Sequence, residues 1–137
     1  MKIRKQFAAV LLIMIIVLTT GYHVSAESIA DNTDVVSPLY ENAKDGNAAL
    51  NISDSTASCQ TYIKAYRKTN LSITMYLQKK SGTTWTNVKT WEKTAKDVAN
   101  LSLAKNYTVS KGTYRVRAIM KAGSETVTKT SASCTKK

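Results

Sequence analysis

The stretch LSITMYLQ (Leu71–Gln78) alternates without a lapse. Leu71, Ile73, Met75 and Leu77 are apolar, and Ser72, Thr74, Tyr76 and Gln78 are able to face water. A period of two puts the four apolar side chains on one face of a strand, whereas a helix would scatter them. The same pattern returns in TYRVRAIMK (Thr113–Lys121), where Tyr114, Val116, Ala118 and Met120 alternate with Arg115, Arg117, Ile119 and Lys121. It appears again in ASCQTYIKAY (Ala57–Tyr66), with Cys59, Thr61, Ile63 and Ala65 on one side. Shorter candidates are Ala49–Ile52, Trp85–Glu92, Val98–Ala104 and a last strand over Glu125–Cys134. Polar turns such as KKSGT separate them, and no helical period appears after the first 26 residues. The expectation is an all-β antiparallel sandwich of six to seven strands, immunoglobulin-like in type.

The N-terminus has a different character. Lys2, Arg4 and Lys5 precede an unbroken apolar run from Phe7 to Leu18, and Val24-Ser25-Ala26 supplies small residues. This is the pattern of a secretory signal peptide, expected as a signal helix over residues 1–26 with cleavage between Ala26 and Glu27. The run falls short of the roughly 20 apolar residues that a membrane span requires. No membrane span is expected after cleavage, and the product is expected to be extracellular, with possible association to the cell wall. Removing 26 of the 137 residues leaves 111, the size of a single domain. Residues 27–47 are polar and acidic and read as a flexible leader. The β domain then covers 48–137.

Charge divides unevenly between these parts. Residues 27–54 hold six acidic side chains and one basic, while residues 55–137 hold sixteen basic and three acidic. A basic domain of this kind attracts anionic partners and raises the rate of encounter with them. The two cysteines, Cys59 and Cys134, are the only ones in the chain. In an exported protein they are expected to join as a disulfide. Closing a loop of that length is worth about 4.5 kcal/mol in the chain-entropy account.

Catalytic chemistry is poorly provided for. The one histidine, His23, falls in the expected signal peptide. That removes serine–histidine and cysteine–histidine nucleophiles and histidine-based zinc sites from the mature chain. Glu92, Asp97 and Glu125 are the only carboxylates in the basic region, and Glu92 with Glu125 is the one conceivable acid–base pair. The acidic clusters at Asp31–Asp34 and Asp45–Asn47 lack the ligand spacing of a calcium loop. No enzyme activity, metal site or cofactor is expected. Asn-x-Ser/Thr occurs at Asn51, Asn70, Asn100 and Asn106, a by-product of strands rich in asparagine and threonine.

The segments LQKKSGTTWTNVKTW (Leu77–Trp91) and SKGTYRVRA (Ser110–Ala118) resemble a group of small secreted proteins of Gram-positive bacteria, classed as a domain of unknown function. The resemblance spans roughly 48–131 and implies an exported immunoglobulin- or fibronectin-like sandwich. It carries no site residues to transfer. KGTYRV is also similar to strand F of an immunoglobulin domain, where a tyrosine stands two residues before a cysteine. Here Val116 occupies the cysteine's place.

The two tryptophans, Trp85 and Trp91, raise the main question about a site. In one regular strand they share a face with Asn87 and Lys89, and turning that face inward would bury a lysine at high cost. A bulge near Asn87 would flip the register and separate the two rings. Trp91 would then be the more buried, with Trp85 flanking the turn. Strands Leu71–Gln78, Trp85–Glu92 and Thr113–Lys121 are expected to share a sheet whose outer face shows Tyr76, Trp85, Lys89, Arg115 and Arg117. Arginine beside aromatic rings suits an anionic polymer. The expected role is therefore a secreted, monomeric, non-catalytic module that binds anionic cell-wall or extracellular polymers. A secreted factor acting on a host or neighbouring-cell protein is the alternative, and nucleic acid is not an expected partner.

Overall fold

The computed structural model describes residues 40–137. The signal segment, its cleavage point at Ala26 and Glu27, and most of the acidic leader lie outside the described residues. Six strands follow: β1 (Ala43–Ser53), β2 (Thr56–Ser81), β3 (Thr84–Thr108), β4 (Gly112–Ala122), β5 (Glu125–Thr130) and β6 (Cys134–Lys136). They join in one hydrogen-bonded antiparallel sheet, in the order β1-β2-β4-β5, with β3 on β2 and β6 on β4. Strand β1 begins within the stretch read as a leader, so the folded unit starts earlier than position 48.

Two pairs of expected strands are fused. Ala57–Tyr66 and Leu71–Gln78 are halves of β2, and Trp85–Glu92 and Val98–Ala104 are halves of β3. The polar stretches between them look like turns but act as bends. The β2–β3 register shifts between Lys64 and Thr69 and again between Thr69 and Leu71. Asp97 takes a left-handed backbone there, with φ 53°. The paired strands therefore continue through the bend without a break in the chain.

That bend divides the sheet. The first half of β2 lies between β1 and the second half of β3, and its second half lies between the first half of β3 and β4. The halves curl so that their apolar faces meet. The Thr61 hydroxyl on the first half stands 3.4 Å from the Met120 sulfur on the second. The Trp91 ring meets Tyr107, from the far end of the same strand, edge to face at 6.2 Å. Lys93 Nζ donates to the Ser102 carbonyl at 2.9 Å across the same gap. Ile63, Leu71, Ile73, Met75, Leu77, Val116 and Met120 form the fully buried centre. The Leu71–Leu77 alternation thus places its apolar side as read from the sequence.

Tyr114 is buried, and its hydroxyl donates to the backbone carbonyl of Ser110 at 3.0 Å. This bond ties β4 back to the turn that precedes it. Lys79 Nζ covers the ring at 5.5 Å.

The entry to β1 is held by one side chain. Glu125, at the start of β5, accepts from the backbone N–H groups of Glu41, Asn42 and Ala43 at 2.7–3.0 Å, and from Asn42 Nδ2 at 3.3 Å. The Ala43 N–H is the main cause that lowers the Glu125 pKa below its ordinary 4.5. Hydrogen bonds to the charged form are what such a shift reports.

Two outcomes follow from these contacts. A depressed carboxylate pKa contributes stability that is fully present above 4.5 and is lost as pH falls through the lower folded value. Glu125→Gln is expected to lower Tm at pH 7 and to flatten the stability loss below pH 4.5, read by acid titration of thermal melts. Ile73→Ala removes a fully buried side chain and is expected to cost about 2–5 kcal/mol in a denaturant melt.

Candidate functional site

The outer face of the second half of the sheet is built by register. Its rows place Thr90, Tyr76, Arg117 and Thr130 side by side, then Asn87, Gln78 and Arg115, then Trp85 and Lys80. Trp85 reaches this face because the β2–β3 register shifts by one residue between Leu77 and Gln78. The extra residue falls at Val88, beside the position where a bulge was expected. Beyond it, Trp91 pairs with Met75 on the core side. The two tryptophans therefore face opposite ways, and both are half-buried.

Lys89 does not join the outer face. It is the register partner of Leu77, so it lies on the core side of β3. It nevertheless stays exposed, because among the described residues β3 pairs only with β2 and its other edge is open. An inward position on an edge strand is not a buried one. The burial cost weighed against inward tryptophans does not arise here.

Of the outer-face residues, Arg115 is the most constrained. Its Nε donates to Gln78 Oε1 at 2.8 Å, and its guanidinium carbon stands 4.2 Å from the centre of the Trp85 ring. Gln78 is only 7% exposed, and its amide donates to Asn87 Oδ1 at 2.8 Å. Both polar atoms of the buried amide thus have a partner, as buried polar groups usually do. The guanidinium is held by one nitrogen and one ring face, leaving its two terminal amines as a fork. Such a fork matches an oxyanion in bidentate geometry. Gln78 and Asn87 were not among the sequence candidates. Gln78 occupied an ordinary outward position in the alternation, and nothing in the sequence showed that Arg115 and Asn87 would bracket it.

Glu92 lies on this outer face, opposite Thr74, while Glu125 pairs with Ala122 on the core side and is tied to the β1 entry. The two carboxylates stand on opposite faces of the sheet. Among the described residues no cluster of three or more metal-binding side chains occurs.

Both cysteines are thiols in this structure. Cys59 is fully buried, and burial pushes its thiol up to about 11. Cys134 reaches the core side through a second one-residue shift. The β4–β5 register pairs Thr130 with Arg117, but the β4–β6 register pairs Cys134 with Tyr114. The intervening residues 131–133 supply the offset, with Ser131 bonded in both directions to Val116. Cys134 Sγ then donates to the Leu50 carbonyl at 3.4 Å. Leu50 is itself the register partner of Cys59, so both thiols lie at one level of the β1–β2 pair.

No family model matches the chain, and no curated protein matches it. Among solved structures it is similar to R. palustris CsgH, known from a solution structure, with 17% identity and a TM-score of 0.43. That match covers 62% of this chain and 87% of the other. A likeness at this level carries no argument, and the resemblance to Gram-positive secreted proteins gains no support from these comparisons. What stands is an all-β fold over the described residues.

The thiol environments give a direct test. In the reduced, folded protein a maleimide is expected to label half-buried Cys134 and to leave Cys59 untouched, since a buried thiol with a raised pKa offers little thiolate. Cys59 should become reactive only on denaturation, as read by peptide mass mapping.

Proposed function

We propose that this chain is an exported, non-catalytic module that binds anionic cell-wall or extracellular polymers through the outer face of the second half of its sheet. The observation that carries the reading is the fixed guanidinium of Arg115, stacked on Trp85 and held by buried Gln78. Arg117 stands two residues further along β4 on the same face, roughly 6.7 Å away. Tyr76 lies between Arg117 and Thr90, and Lys80 pairs with Trp85. A polymer with anions along its length would meet successive cations there, with aromatic surface between them. Lys89 is not part of this surface.

The same reading takes the domain as an immunoglobulin-like sandwich, supported by the bond of Tyr114 back to the Ser110 carbonyl, which is like the tyrosine corner at strand F of immunoglobulin domains, and by the curl that brings two apolar faces together. It takes the N-terminal segment as the export signal, Cys59 with Cys134 as a disulfide formed after export, and the domain as a monomer. The shared level of the two thiols supports the disulfide.

Binding to a soluble polyanion such as heparin or polyglutamate is expected to weaken steeply with added salt, because surface charges are screened within about 8 Å at physiological ionic strength. Arg115→Gln is expected to weaken it by about tenfold. Arg115→Lys should restore little, because lysine keeps the charge but loses the fork. Affinity unchanged in an Arg115→Gln, Arg117→Gln double variant, measured by titration calorimetry, would sink the proposal. The search would then turn to a protein partner on a host or neighbouring cell.

A further inference from the structure

The first half of the sheet has an outward face of its own, and its chemistry differs from that of the cationic one. Its rows align Asn47, Tyr62 and Ser102, then Ala49, Gln60 and Ala104, then Asn51, Ser58 and Asn106. A last row holds Asp45, Lys64 and Asn100. Asp45 and Lys64 are register partners of opposite sign, so the four rows carry no net charge. They extend over about 20 Å at two residues per row.

The Asn-x-Ser/Thr sequences acquire a structural meaning here. Residues two apart on a strand share a face, so Asn51 with Ser53, Asn100 with Ser102, and Asn106 with Thr108 each place an amide and a hydroxyl side by side outward. Three of the four such sequences in the chain fall on this face. Each amide offers donors and an acceptor, and each hydroxyl offers both.

Tyr62 sits among them. Its ring is half-buried, and its hydroxyl donates to Asp45 Oδ2 at 2.9 Å, which fixes the ring's far end. A shallow depression lies on each side of it. The larger, about 340 Å³, is bordered by Asn47, Gln60 and Ser102. The smaller, about 260 Å³, is bordered by Lys64, Asn100 and Ser102. Ala49 and Ala104 open the larger one. Both are exposed strand positions, where alanine is a poor choice for strand stability and packing offers no reason for it. Their small side chains border the Tyr62 ring and the Gln60 amide at the larger depression, while Lys64 Nζ stands over the ring at 5.4 Å on the side of the smaller one.

We propose that this face is a second binding surface, specific for an uncharged polysaccharide chain, with a sugar ring laid against Tyr62 and its hydroxyls met by Asn47, Gln60, Asn100 and Ser102. Sugar hydroxyls both donate and accept, as these side chains do, and the apolar face of a sugar ring suits an aromatic surface. The absence of net charge argues against an anionic ligand here. The inference is independent of the Arg115 face.

The test is affinity gel electrophoresis of the protein in dextran, hydroxyethyl cellulose and laminarin, at low and high salt. At least one of these neutral polysaccharides is expected to retard the protein equally at both salt concentrations. Tyr62→Ala should weaken that retardation by about tenfold, and Gln60→Ala, at an exposed position outside the core, should also reduce it. Tyr62→Phe keeps the ring and should retain most of it. Arg115→Gln with Arg117→Gln should leave it unchanged while abolishing polyanion binding. No retardation in any of the three polysaccharides would overturn the proposal. So would retardation that persists in Tyr62→Ala and Gln60→Ala, or that disappears with salt. A protein that binds polyanions but none of the neutral chains would lose this surface and keep the other.

Discussion

The pairing of β2 with β3 is the constraint on which the rest of the domain depends. Strands of 26 and 25 residues run antiparallel from the Ser81–Thr84 turn to the Thr56–Thr108 pair. Mean strands in globular proteins are about 5–6 residues long. A straight ribbon of such length would have one apolar face and nothing to cover it. The bend at Ala65–Asn70 and Ala95–Ala99 solves this by folding the ribbon's apolar face onto itself. Trp91 touching Tyr107, and Lys93 touching Ser102, are contacts of one strand with its own other half. Strands β1 and β4 then need only to pair with whichever half of β2 is free on its other edge.

Much of this was legible in the period-two alternation. Leu71–Leu77 and Tyr114–Met120 face the core as their patterns require, because burying one face leaves a strand only one acceptable orientation. Fusion of the strands was not legible. Arg67–Asn70 and Lys93–Asp97 have the polar composition of turns, and composition does not distinguish a chain that reverses from one that bends and continues. The register offsets were beyond reach as well, apart from the bulge near Asn87 that was one of the ways to place the two tryptophans. The offset at residues 131–133 depends on Ser131 bonding to Val116, a contact between strands that no local pattern announces. Yet that single-residue offset decides whether Cys134 points to water or toward the level of Cys59.

The candidate cationic face shows the same division. Tyr76, Trp85, Arg115 and Arg117 come together as parity and strand order suggested, while Lys89 does not. Parity alone assigns a side of the sheet and says nothing about whether that side is closed. Inward means buried on a central strand such as β2 but not on an edge such as β3. Gln78 fails in the other direction. It sits on the outward side and is almost fully buried, because Arg115 and Asn87 lie over and beside it.

The inward lysines of β3 also bear on the open edge of the sheet. Among the described residues, the outer edge of β3 has no strand partner along its length. A long edge rich in threonine and aromatic residues would be an open template for another chain. Lys89 and Lys93 point to the core side at this edge, flanking Trp91. A strand docking there would have to enclose both ammonium groups against Leu77 and Ile73. Lys93 already spends its charge on the Ser102 carbonyl across the fold, and Lys89 has water. A neighbour that removed that water would have to offer Lys89 an acceptor or bear the cost of burying an unpaired charge. The residue that least suited a binding face thus suits the edge: its position follows from the same one-residue shift at Val88 that sends Trp85 outward to meet Arg115.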